Sequence, residues 1–174
     1  MTARSAQGHF LYGILGTTCI IKAVGNINYR IGGSFDRFIS KLFADNAIED
    51  FLIDLTEAEY IDSTNLGLLA RIQVFSVERL SRRPTVISTN PAINGILRNL
   101  GFDRLFTIVD TATIQAGNLH ELPAAGQDEA EMRKTLLSAH RYLASTSKEN
   151  AIAFREVVEL LERDARGRGS SRTP

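Results

Sequence analysis

Residues 51–70 read FLIDLTEAEYIDSTNLGLLA, and the fold follows from how this stretch is divided. Ile48 to Leu55 is a short apolar run broken only by Glu49, Asp50 and Asp54. Such a run suits a strand buried on both faces of a mostly parallel sheet. A polar bend follows, and Asp62, Ser63 and Thr64 then open a helix expected to reach about Leu80. Short oxygen-bearing side chains at a helix start have an ordinary role, because they satisfy the free amides of the first turn. The passage from strand edge to helix is also where open α/β sheets place their sites. The helix is apolar on more than one side: Leu66, Ala70, Val74 and Val77 form one stripe, and Leu68, Leu69, Ile72 and Phe75 another. One stripe must cover the sheet. The other packs beneath a neighbouring helix or awaits a partner.

Upstream, His9 to Leu15 and Thr18 to Val24 are rich in β-branched and aromatic residues and are separated by Gly16 and Thr17, which predicts two strands joined by a tight turn. Asn26 to Gly33 reads as a loop, and Phe35, Phe38, Ile39, Leu42 and Phe43 recur at helical spacing, with Ser34 or Asp36 near the start of that helix. Downstream, Pro84 to Ser88 reads as a strand, Pro91 to Leu100 as a short helix ended by Gly101, and Leu105 to Val109 as a last strand. The order β-β-α-β-α-β-α-β predicts an α/β fold, with a mixed, mostly parallel sheet of about five strands and right-handed crossovers.

Residues 9–110 thus form one domain. Residues 111–127, with Gly117, Pro123 and Gly126 and no sustained period, read as a linker. Within 128–165, Met132, Leu136, Ala139 and Leu143 form one apolar seam, and Ala151, Phe154, Val158 and Leu161 another. These predict a C-terminal helical hairpin, joined around Ser145 to Lys148, that packs on the domain or serves as a dimer or docking seam. Residues 166–174 carry arginine, glycine and serine with nothing to bury and read as a disordered tail.

Composition narrows the function. The 174 residues balance 20 basic against 20 acidic side chains, which argues against direct nucleic-acid binding. Cys19 is the only cysteine and sits in a β-prone apolar run, so it reads as a small buried hydrophobe. No Cys/His metal-ligand cluster, signal-peptide pattern or membrane-length apolar stretch is visible, so a cytoplasmic chain without metal or cofactor is expected. Gly13, Gly16, Gly25, Gly32 and Gly33 open no phosphate-cradling helix. A receiver-domain reading lacks the acidic pair after the first strand and the lysine after the last. A hydrolase reading needs a base near Ser63, and His9, His120 and His140 lie in no motif that foretells one. The expectation is that the protein is not an enzyme.

Asp62-Ser63-Thr64-Asn65-Leu66-Gly67, after the strand Phe51 to Leu55, resembles the signature of the STAS family, in which Asp-Ser-Ser/Thr-Gly-Leu follows a buried strand. Asn99 to Phe106 resembles that family's last helix-to-strand passage, and Asn65 stands where the usual motif has glycine. The resemblance implies an anti-sigma-factor antagonist (anti-anti-sigma factor) of STAS-like fold. Its Ser63 would be phosphorylated by a serine kinase and restored by a PP2C-type phosphatase, with Thr64 a secondary acceptor. The unphosphorylated form would bind an anti-sigma factor or the regulatory kinase through Asp62, Ser63, Thr64, Asn65, Leu66, Gly67 and Ala70. The alternative is a non-phosphorylated STAS scaffold subunit of a transport or lipid-handling complex. The extension resembles that of single-domain relatives in proteobacteria that control motility or biofilm formation, with a monomer or weak dimer expected.

Overall fold

The computed structural model describes residues 7–110, 117–124 and 126–167. Two strands, β1 (His9–Leu15) and β2 (Thr18–Ile27), pair antiparallel through a turn in which Gly16 takes a left-handed conformation. Three crossovers follow. Helix α1 (Tyr29–Phe43) leads to β3 (Asp50–Ile61), α2 (Ser63–Leu80) to β4 (Thr85–Ile87), and α3 (Pro91–Asn99) with the single turn α4 (Phe102–Leu105) to β5 (Thr107–Val109). Strands β2, β3, β4 and β5 are parallel neighbours, as the apolar character of 51–55 requires.

The sheet has six strands rather than about five, in the order β5-β4-β3-β2-β1-β6. The extra strand β6 (His120–Glu121) lies in the stretch expected to be a linker and pairs antiparallel with Leu11 and Tyr12 of β1. Two exposed polar residues, paired through the backbone and through the His120 ring 6.1 Å from that of Tyr12, leave no periodic trace. The expected loop over 26–33 also gives way: β2 continues to Ile27, and α1 starts at Tyr29 with the Asn28 side chain accepting from the Arg30 amide. Gly32 and Gly33 lie inside that helix because neighbours fill the space their side chains would take. A β-carbon on Gly32 would sit 3.3 Å from Thr64 Cγ2, and one on Gly33 would overlap the Gln127 side chain.

The core joins Phe10, Phe35, Phe51, Ile53, Leu55, Leu68, Leu69, Phe102 and Phe106, all essentially without solvent contact. Cys19 is fully buried among them, and desolvation pushes its thiol up to about 12. Asp54 is the one carboxylate inside this layer among the described residues. It accepts from the amide and hydroxyl of Thr56 and lies 3.7 Å from Lys22 Nζ, so its charge is compensated.

The C-terminal region is three helices, not a hairpin of two. Helix α5 (Glu129–Ser145) is followed by α6 (Lys148–Ala153), capped by Ser147, and by α7 (Arg155–Gly167). The second expected helix divides at Phe154, whose backbone leaves helical geometry while its ring faces His140 at 6.0 Å between centroids. Helix α5 rests on α2 and α1, whereas no residue of α7 is buried. The expected tail begins inside α7 at Arg166 and Gly167, and residues 168–174 lie outside the described ones.

Candidate functional site

Ser63 is the first residue of α2, two positions after β3 ends at Ile61. Asp62 caps the helix: its Oδ1 accepts from the Asn65 amide at 3.0 Å and from Asn65 Nδ2 at 2.9 Å. The Asp62 amide donates to the Ile27 carbonyl, which fixes the entry of the chain from the parallel pair β2/β3. The serine hydroxyl is therefore held where the first-turn amides and the positive end of the helix dipole favour negative charge.

The expected site residues differ in access. Asp62 and Ser63 are half-buried, but Thr64, Asn65, Leu66, Gly67 and Ala70 are buried. Thr64 has its methyl group against α1, and the Asn65 side-chain oxygen lacks a partner in a fully enclosed position. Both apolar stripes of α2 are covered over the first three turns. Solvent returns beyond them, with Val74 and Phe75 partly buried and Val77 47% exposed.

What covers this end of α2 is α5. A β-carbon placed on Gly67 would lie 2.1 Å from the Ala139 carbonyl oxygen, so the two helices touch backbone to backbone. One residue further along, His140 reaches Ser63, with Nε2 3.0 Å from Oγ. His140 Nδ1 lies 2.8 Å from the Leu136 carbonyl oxygen, which can only accept. In the neutral ring that bond places the proton on Nδ1 and leaves Nε2 to accept from the serine hydroxyl. The meeting was not foreseen, since 77 residues separate the pair and nothing local to either one signals it. The usable hint was the small-residue step at Ala139 in the first C-terminal seam, because only small side chains let helices approach this closely.

Among the described residues no group of three His, Cys, Asp or Glu side chains could hold a metal ion, and no helix is long and apolar enough to cross a membrane.

Residues 11–113 match the family model described as STAS domain. No curated protein matches the chain. Among solved structures, an anti-sigma factor antagonist from Mycobacterium paratuberculosis is 21% identical with a TM-score of 0.52, the match covering 64% of this chain and 92% of that one. The anti-sigma factor antagonist SpoIIAA in its unphosphorylated form is 16% identical with a TM-score of 0.50, over 59% of this chain and 89% of that one. Both matches share the fold, and neither spans the whole of this chain.

Proposed function

The chain belongs to the STAS domain family, and from that premise we propose that it is an anti-sigma-factor antagonist whose binding is switched by phosphorylation of Ser63. The observation that carries the reading is the position of Ser63 as the first residue of α2, directly after the capping Asp62, at the C-terminal edge of the parallel strands. The solved structures with this fold include two described as anti-sigma factor antagonists, one of them in an unphosphorylated form.

The chemistry is electrostatic. A phosphate on Ser63 adds about −1.5 to −2 charges at neutral pH. Its own helix tolerates it, since the first-turn amides and dipole favour an anion by about 0.3–1 kcal/mol. A protein pressed against the same helix start meets a hydrated dianion beside the Asp62 carboxylate, and each 1.4 kcal/mol of repulsion or desolvation lowers affinity about tenfold. The switch therefore changes binding without unfolding the domain. A serine kinase and a PP2C-type phosphatase set the state of Ser63, and an anti-sigma factor reads it. Residues 9–110 carry this activity, with Asp62 fixing the turn and Thr64, buried as it is, a secondary acceptor only when α2 is uncovered.

Phosphopeptide mapping of the chain purified from its own cells tests the assignment, with phosphate expected on Ser63. Ser63→Ala should retain capture of the anti-sigma factor, and Ser63→Asp should weaken it at least tenfold. Phosphate confined to other residues, or equal capture by both variants, would return the chain to the reading of a constitutive scaffold.

A further inference from the structure

The extension is strapped to the domain at several separate points along its length. Strand β6 adds to the edge of β1, and the Leu122 amide donates to the Phe10 carbonyl. Gln127 fills the notch at Gly33, with Nε2 3.3 Å from Thr135 Oγ1. Arg37 of α1 pairs with Glu131 at 3.5 Å. Ala139 meets Gly67, His140 meets Ser63, and Leu143 is fully buried in the common core. Beyond α5, Asn150 Nδ2 donates to the Leu100 carbonyl at 2.9 Å. The backbone-to-backbone contact among these, at Gly67, lies one helical turn from the serine that the function requires.

A phosphate does not fit under this cover. The Ser63 oxygen is already at hydrogen-bond contact with His140 Nε2, so there is no space between them for a phosphorus carrying three further oxygens. In the neutral ring the bond is also of the wrong sense, because Nε2 offers a lone pair and phosphate oxygens are acceptors. A second protein faces the same obstacle. The residues it would contact, from Thr64 to Ala70, are buried in the closed arrangement.

We infer that α5 is an intramolecular cover over the Ser63 end of α2, and that its docking and the occupation of that face by a phosphate or a partner exclude one another. The inference rests on Ser63 being the acceptor and adds a second level of control to it. By linkage, whatever lifts α5 strengthens partner binding, and partner binding weakens α5 docking by the same factor, while a lifted α5 also opens Ser63 to modification. A cover closed 99% of the time lowers the apparent affinity for a partner about 100-fold.

Hydrogen–deuterium exchange on the full chain, with phosphoserine installed genetically at position 63, tests the cover. Amides of 129–145 should exchange at least tenfold faster than in the unmodified chain, while β2 and β3 keep their protection and report that the domain is folded. His140→Ala, which removes the contact to Ser63 together with the ring's bond to the Leu136 carbonyl, should raise exchange in the same segment about fivefold. Protection of α5 that stays unchanged or increases with the phosphate in place, as an imidazolium–phosphate pair would produce, overturns the cover. Because the phosphate is installed without a kinase, this result judges the cover alone, whereas phosphopeptide mapping judges Ser63 as the acceptor.

Discussion

Asn65 gives both its backbone amide and its side-chain amide to one oxygen of Asp62, at 3.0 and 2.9 Å. The residue that departs from the usual family glycine thus doubles the helix cap instead of weakening the turn. Its side chain is wholly enclosed, so the second bond is made where water cannot replace it.

Asp62→Ala should accordingly cost more than an ordinary cap. Loss of the cap alone is worth about 1 kcal/mol, and the stranded Asn65 amide adds about 1–3 kcal/mol. Asn65→Gly removes the buried amide with it and should cost about 1 kcal/mol, mainly through backbone entropy. Urea unfolding should show a lower midpoint at constant slope for both, with Asp62→Ala the larger shift.

Two helical glycines make an internal comparison. Gly67→Ala forces a β-carbon into the Ala139 carbonyl and should destabilise by about 1–3 kcal/mol. Gly95→Ala, in α3 with nothing within 4 Å of the added carbon, should stabilise by about 0.5–1 kcal/mol. Thermal melts of the two variants should move in opposite directions.

Cys19 gives a pH prediction. Its pKa is raised from 9.0 to about 12 by burial, so the folded state holds the thiol proton more tightly than the unfolded chain does. The stability this confers is complete below pH 9 and is lost as pH climbs from 9 toward 12. Labelling with a thiol reagent at pH 8 should be slow in the native protein and immediate in denaturant. Cys19→Ser should leave the alkaline loss of stability reduced.

Asn150 joins α6 to the end of α3 by donating to both Leu100 O and Thr146 Oγ1. Asn150→Ala leaves a carbonyl without its donor and should cost about 1–3 kcal/mol. Proteolysis of the native variant should begin between α5 and α7, with the strands still intact.

The alternation of strands and helices was legible because each buried strand carries its own apolar run and each crossover helix its own period. What escaped was structure made by partners distant in sequence. Residues 56–61 alternate polar and apolar and were read as a bend, yet β3 continues through them because Val24 to Ile27 of β2 supply a neighbour, with two irregularities in register. Strand β6 is two exposed residues, and α4 a single turn. At the site, Ser63 and Asp62 declared themselves through capping chemistry and motif. His140 did not, since a histidine on a helix face is identified only by what the helix packs against. The same holds for the second stripe of α2, whose cover could be named only once α5 was seen to lie on it.

The strap at Gly33 sets the terms on which α5 can be displaced. Gln127 sits in that notch two residues before α5 begins, and the preceding Gly126 carbonyl accepts from Arg37 Nη2 of α1 at 3.2 Å, so a lifted α5 stays beside the surface it left. A segment held by so short a tether competes at an effective concentration of about millimolar, whatever the abundance of the protein. An outside partner must outbid that figure from its own much lower cellular level. Re-closure, being unimolecular, proceeds at the same rate in a cell that holds few copies as in one that holds many.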